Sequence, residues 1–287
     1  MILVTGATGL IGTKLVRHLA EAGEKVRAVT RDPATTTVPD GVEVVPGDPS
    51  RPTTIAAALD GVQSVFLNPR SVGTAAPELL ALAREHGVRK AVALSATNVD
   101  DDPSRQPSRY RGDYNREAEA AVIDSGLDWV SLRPSMFASN TIGLWAAAIR
   151  AGDVVRMPYP DAAWAPVAED DLAEVAAIAL HTDRLAGRKV ELTGPESLTQ
   201  AELVGIIAAA LGHPVRVEQV APESVESAMI GAGFQGDFVR ALIRLQAEYA
   251  TRPAPVSGEL PEILGRPARS FATWVADNLA AFGGQAR

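Results

Sequence analysis

Met1-Ile2-Leu3-Val4-Thr5-Gly6-Ala7-Thr8-Gly9-Leu10-Ile11-Gly12 begins the chain, and its spacing decides how the fold is read. The apolar run from Ile2 to Val4 breaks into glycines at Gly6, Gly9 and Gly12, after which residues 13–22 continue with helical periodicity. A buried strand, a tight turn and a helix N-terminus therefore follow one another. Gly6 permits the turn, and Gly9 leaves no Cβ between the backbone and an approaching phosphate. Gly12 lets the helix pack close to the strand. The free N–H groups from Thr8 through Leu10 to Ile11 sit at the positive end of the helix dipole and form a site for a pyrophosphate.

Working outward, 287 residues suit one large α/β domain or a nucleotide domain with a smaller companion. Hydrophobic residues make up 46% and charged ones 22%, which is enough apolar material for a sizeable core. The net charge of −8 argues against non-specific binding to nucleic acid or anionic membrane. With no cysteine, disulfides, thiol catalysis and zinc–thiolate sites are excluded. The four histidines lack metal-ligand spacing, so no metal is expected. No apolar run reaches membrane-spanning length and no signal-peptide pattern precedes the first strand, so a cytoplasmic protein is expected.

Strand patterns recur at residues 25–30, 42–45, 62–67, 89–95 and 127–132. Helical patterns lie between them at 52–59, 75–86 and 113–125. This alternation predicts a doubly wound parallel α/β sheet with strand order 3-2-1-4-5-6. Beyond Ala138 the rhythm changes. Helical stretches are expected at 140–150, 169–181, 199–211, 222–232, 236–249 and 270–282, with strands at 189–193 and 215–220. Thr199 and Glu202 have the spacing of a capping box. The expected organisation is a dinucleotide-binding domain over residues 1–138. A small C-terminal α/β part over 139–287 would hold substrate above the strands' carboxyl ends.

Cofactor choice is set just past the second strand, where the chain reads Thr30-Arg31-Asp32-Pro33. Arg31 offers paired hydrogen bonds to a 2′-phosphate and a face for adenine, which favours NADP over NAD. Asp32, one residue on and before proline, suits a turn or cap. Asp48 either reaches the adenine edge or caps the next helix. Asn68 follows the fourth strand beneath the cofactor ribose, and Arg70 is either a substrate contact or a solvated loop cation. Ser95 ends the fifth strand beside the expected nicotinamide, and Tyr110 lies where a catalytic tyrosine would be sought. Trp145, Trp164, Phe137 and Phe234, with Met136, suggest an aromatic pocket for a flat substrate, although each alone suits core packing.

No lysine supports a tyrosine. The chain has Lys14, Lys25, Lys90 and Lys189 only, so no Tyr-x-x-x-Lys pair exists to relay a proton to an alkoxide. Acceptors that need little acid assistance remain open: a quinone, an iminium, an activated alkene or an azo compound. The same absence fits a protein that binds the cofactor without turnover.

Thr5-Gly6-Ala7-Thr8-Gly9-Leu10-Ile11-Gly12 resembles the atypical short-chain dehydrogenases of the NmrA-like group. So do Val26-Arg27-Ala28-Val29-Thr30-Arg31 and Leu132-Arg133-Pro134-Ser135-Met136-Phe137. The likeness extends through Leu192-Thr193-Gly194-Pro195-Glu196-Ser197-Leu198-Thr199 and Leu264-Gly265-Arg266-Pro267-Ala268-Arg269-Ser270-Phe271. It is greatest to the quinone-oxidoreductase-like and festuclavine-dehydrogenase-like branches. The resemblance implies a Rossmann-type sheet with NADPH on the Gly6–Gly12 loop and Arg31. It also implies that Asn68, Ser95, Pro134, Met136 and Phe137 surround the nicotinamide. Asn115 stands where relatives commonly carry a lysine. The group contains small-molecule reductases and also non-catalytic redox sensors that bind a protein partner, so the resemblance implies either a reductase or such a sensor.

Overall fold

The computed structural model describes residues 1–152 and 154–284. One compact unit gathers Met1–Asp100, Gly112–Pro134 and Glu169–Leu192. A second gathers Asp101–Arg111, Ser135–Ala168 and the chain from Thr193 onward. A single cut after Ala138 does not follow this packing. The chain leaves the first unit after Asp100, returns at Gly112, leaves again after Pro134, returns for the helix and strand of Glu169–Leu192, and then leaves once more.

The first unit is built on a seven-stranded parallel sheet. Its first six strands are β1 (Ile2–Val4), β2 (Val26–Thr30), β3 (Glu43–Pro46), β4 (Ser64–Leu67), β5 (Lys90–Leu94) and β6 (Asp128–Pro134). Their order is β3-β2-β1-β4-β5-β6, the expected doubly wound arrangement, and Arg188–Leu192 adds the seventh strand beside β6. β1, β4 and β5 are buried along their whole length, which is why, after Ser64 and Lys90 at the starts of β4 and β5, they read as apolar runs rather than alternating ones.

Helices cover both faces of the sheet. Leu10–Glu21 buries Ile11, Leu15, Val16 and Leu19 and packs against Glu169–His181. On another side Leu3, Val65, Leu67, Leu79, Ala91 and Val122 belong to one continuous core. Each such buried leucine or valine contributes about 1.5–3 kcal/mol relative to exposure. At the amino end of β5, the buried Lys90 ammonium donates to Thr182 O and Asp183 Oδ1, both at 2.6 Å. That cation meets one backbone carbonyl, Thr182 O, just past the end of the Glu169–His181 helix and ties the helix to the sheet.

The second unit is less regular. Ile142–Ala146 winds as a π-helix before the α-helix Ala147–Gly152, where a single helix is expected from sequence. Val154–Met157 pairs in parallel with Arg216–Gln219, and Ala163–Trp164 pairs antiparallel with Leu198–Thr199. Arg216–Gln219 falls inside the strand expected over 215–220, whereas Val154–Met157, Ala163–Trp164 and Leu198–Thr199 were not expected, because strands of two to four residues carry too little periodicity to register. Thr199 does cap Gln200–Leu211: its hydroxyl accepts from Glu202 N, and the Glu202 carboxylate accepts from Thr199 N. Those backbone and hydroxyl bonds hold the Glu202 carboxyl below its ordinary range.

Candidate functional site

The carboxyl end of β1 is shaped by backbone. Gly6 has φ +65°, a conformation that L side chains rarely adopt, and a Cβ there would lie 2.9 Å from the Asn68 side chain. A Cβ on Gly9 would stand 3.2 Å from Gly6 O, and one on Gly12 only 2.0 Å from the same oxygen. Gly9 N donates to Gly6 O at 2.9 Å and closes the turn. Gly9 then stands at the N-cap of Leu10–Glu21 with no side chain satisfying the first helical N–H groups. Thr8, Gly9 and Leu10 are exposed, so this row of donors faces outward. The cradle fits a pyrophosphate: it offers donors, a positive dipole end and no Cβ in the way.

Thr5 joins this turn to the next strand end, and nothing in the sequence reading singled it out. Its buried hydroxyl donates to Phe66 O at 2.8 Å and accepts from Asn68 N at 2.9 Å. Asn68 Oδ1 in turn accepts from Arg70 N and Ser71 N, capping the short helix Pro69–Val72. Asn68 is thus fixed between the glycine turn and its own helix start. Arg70 turns away into a bidentate pair with Asp113, with both N–O distances 2.8 Å. Its guanidinium is therefore already engaged by a carboxylate of the same unit.

Past β2, a depression of about 320 Å³ is lined by Thr8, Thr13, Thr30, Asp32, Thr35, Thr36 and Thr37. Thr36 Oγ1 donates to Asp32 O at 2.7 Å and lies 3.3 Å from Thr30 Oγ1, which fixes the loop. The expected Arg31 is exposed and stands outside this lining, with no hydrogen bond or ion pair among the described residues. Thr8 was expected at the cofactor; Thr13 and the run Thr35-Thr36-Thr37 just after Asp32-Pro33 were not, although the run was a readable signal. Asp48 is occupied locally. Its carboxylate accepts from the Ser50 hydroxyl at 2.7 Å and from Arg51 Nε at 3.2 Å, and the Ser50 bond leads the effects that lower its pKa.

At the ends of β5 and β6 the site is made of charge. Ser131 and Arg133 share one face of β6, and Lys189 stands opposite Ser131 on the neighbouring strand. Glu119, one turn after Asn115, meets this face. Its carboxylate accepts from Arg133 Nε at 2.9 Å and Arg133 Nη2 at 2.5 Å, and from Ser131 Oγ at 2.5 Å. Lys189 Nζ lies 3.4 Å away, and Arg133 Nη1 also reaches Asp100 at 2.8 Å. Burial opposes ionisation of Glu119, but the Arg133 and Ser131 bonds outweigh it and hold its pKa at about 2. The same pairing raises the pKa of Arg133. Ser95 N donates to Leu132 O at 2.7 Å, extending the ladder. The Ser95 hydroxyl is buried near enough to Glu119 to favour its charge, yet completes no hydrogen bond. Pro134 ends β6, with its carbonyl accepting from Thr97 N at 3.0 Å.

The remaining candidates lie in the second unit. Val167 N donates to Met136 O at 2.9 Å, and Phe137 bridges Val167. Trp145 and Trp164 stack on each other with ring centroids 6.1 Å apart. At 4% and 6% exposure they are core, packed with Ile149, Leu203 and Trp274. Phe234 belongs elsewhere, stacked on Phe238 at 6.0 Å. The single aromatic pocket expected from sequence is thus replaced by two separate clusters, because the helical and strand partners that sort the rings are distant in sequence. Tyr110 packs against the Phe238 cluster, and its hydroxyl donates to Ser104 O at 3.4 Å.

A family model described as NAD(P)H-binding matches residues 6–183. The chain is 37% identical to a (4-alkanoyl-5-oxo-2,5-dihydrofuran-3-yl)methyl phosphate reductase of Streptomyces griseus, over 98% of this chain and 99% of that protein. It is 34% identical to an NAD(P)H azoreductase of Xenophilus azovorans, over 99% of both. Among solved structures, an NADPH-dependent quinone oxidoreductase from Escherichia coli, complexed with NADPH, superposes with a TM-score of 0.82. That pair is 22% identical, over 97% of this chain and 99% of the other, and so shares the fold.

Proposed function

This chain belongs to the NAD(P)H-binding family of atypical, NmrA-like short-chain dehydrogenases and is an NAD(P)H-dependent oxidoreductase; from that premise we propose that it prefers NADPH and reduces a planar small molecule. The acceptor is a quinone, an iminium, an enone or an azo compound, classes that include what its relatives are named for. The observation that carries the cofactor reading is the Gly6–Gly12 cradle, where each glycine excludes a Cβ for its own geometric reason.

In this reading Gly6, Thr8, Gly9, Leu10, Ile11 and Gly12 hold the pyrophosphate. The free guanidinium of Arg31 meets a 2′-phosphate, while Asp32 and the neighbouring threonines accept and donate at the ribose. Because Asp32 lines the depression and also suits a ribose hydroxyl, NADH is accepted too, but more weakly. Asn68, Ser95, Pro134 and Met136 flank the nicotinamide, which when bound supplies the hydride. Ser95 orients a polar atom and does not pass a proton: its charged neighbour Glu119, with a pKa of about 2, is too weak a base to take one near neutrality. Water supplies any proton that the product needs. This is why acceptors that need little acid assistance are favoured over simple ketones.

Arg31→Ala tests the cofactor assignment. NADPH affinity should fall by about tenfold or more while NADH affinity changes little, as measured by fluorescence titration. Equal losses for both cofactors would remove the phosphate role. NADPH oxidation followed by absorbance across the four acceptor classes tests the reaction, and turnover of none of them, despite tight cofactor binding, would favour the redox-sensor reading.

A further inference from the structure

We propose that Arg111, Phe234 and Phe238 form a subsite for a planar ligand bearing an anionic substituent, with the exposed Phe234 ring taking its flat face, Phe238 backing that ring, and the guanidinium taking its charge. The inference deepens the hydride-acceptor reading above and rests on it for the ligand's role, though not for binding itself.

Arg111 ends the short helix Pro107–Arg111, and its guanidinium carbon lies 5.4 Å from the Phe238 ring centroid. It is exposed and has no ion pair among the described residues. The neighbouring arginines differ. Arg105 pairs with Glu248, Arg252 with the same carboxylate, and Arg240 with both Glu226 and Asp237. Those carboxylates are committed to their own cations, so Arg111 retains its charge for another partner. A ring face attracts a guanidinium through its quadrupole but accepts no conventional hydrogen bond from its N–H groups. The donors therefore remain available to a sulfonate, carboxylate or phosphate.

The rings supply the other half. Phe238 is 8% exposed and fixed among Val239, Leu242, Tyr110 and Met229, which makes it a rigid base. Phe234 stacks on it with an interplanar angle of 16° but is itself 37% exposed. The backbone forces this exposure. Gly233 adopts φ +93°, and Phe234 N turns back to Met229 O at 3.1 Å, which ends the helix Pro222–Gly231 and presents the ring. Ile230, four residues earlier, is also among the few large apolar side chains exposed in the described residues. An exposed aromatic face beside an uncommitted cation suits a flat anion better than a neutral sugar or an aliphatic chain.

The test uses the whole protein and a phenylazonaphthol dye, with and without one sulfonate, in an absorbance titration. Wild type should bind the sulfonated dye more tightly, with the difference shrinking as salt is raised. Arg111→Ala should weaken the sulfonated dye about fivefold and leave the neutral dye unchanged. Arg111→Lys should restore part of that loss, and Phe234→Ala should weaken both dyes alike. Thermal melts of the variants should match wild type, since neither exposed side chain is core. If Arg111→Ala leaves the sulfonated dye unaffected, or weakens both dyes equally, the subsite is refuted. A dye bound with the expected pattern but never reduced by NADPH would uphold the subsite and overturn the acceptor reading alone.

Discussion

The end of β1 and the aromatic residues of the second unit were both expected to form sites, and only the first has the arrangement its sequence describes. The glycine cradle is a local object. Three glycines within seven residues set the turn, the approach and the helix contact, and apart from the contact of Gly6 with Asn68 the limiting distances fall inside one stretch. The aromatic pocket required rings from residues 137, 145, 164 and 234 to find one another across elements far apart in sequence. Trp145 and Trp164 instead pair in the core, while Phe234 pairs with Phe238. Spacing along a chain constrains backbone strongly; it says little about which side chains meet after folding.

If the cradle is a matter of backbone, adding one methyl group should do the most damage there. Gly12→Ala places a Cβ 2.0 Å from Gly6 O and 2.8 Å from Ala7 Cα, so backbone must move. A loss of about 3 kcal/mol or more is expected in denaturant melts, together with loss of cofactor binding. Gly9→Val is the matched contrast, since a Cβ there meets Gly6 O at 3.2 Å and faces outward. It should keep most of the stability and lose the dinucleotide. Equal stability of Gly12→Ala and wild type would break the distinction between the two glycines.

The first unit also contains a place made by side chains, which limits how far the contrast between units can be pushed. Glu119→Gln keeps a shape that Ser131 can still hydrogen-bond but leaves buried Arg133 without its main counter-charge. A destabilisation of about 2–3 kcal/mol is expected near neutral pH, at or below the usual range for breaking a buried pair because Asp100 remains. The pH dependence follows from the lowered pKa. Wild-type stabilisation by Glu119 is complete above the ordinary carboxylate value of 4.5 and fades as pH falls toward about 2. The two proteins should therefore converge in stability in acid. A difference that stays constant down to pH of about 2 would show that the ionised carboxylate is not the source.

Legibility follows the same division inside each unit. The strand order, the helix Glu169–His181 and the capping box at Thr199 were all readable, because each depends on periodicity or on residues three apart. The return of Arg188–Leu192 to the first sheet was readable as a strand but not as a partner of β6. Nothing in the sequence linked Glu119 to Arg133, fourteen residues on, or to Lys189 from another strand. Arg133 read as part of a strand-end motif, and its charge acquires meaning only when β6 and the Asn115–Asp124 helix are packed together.

Arg70 sharpens the comparison at its weakest point, where one side chain was read as either a ligand contact or a loop cation. Its two bonds to Asp113 have good fork geometry, but the arginine side chain is 54% exposed and the aspartate 20%. Water and salt screen such a pair, so Arg70→Ala should cost less than about 1 kcal/mol, and less still at high ionic strength. The decisive reading is kinetic. Because Asp113 already occupies the guanidinium, loss of the arginine should leave KM for an accepted substrate nearly unchanged. Asp113→Ala frees Arg70 instead, and should change KM only if a released guanidinium can reach the substrate. A large KM increase in Arg70→Ala alone would mean that substrate displaces Asp113 during binding, and would move Arg70 from the loop scaffold into the binding site.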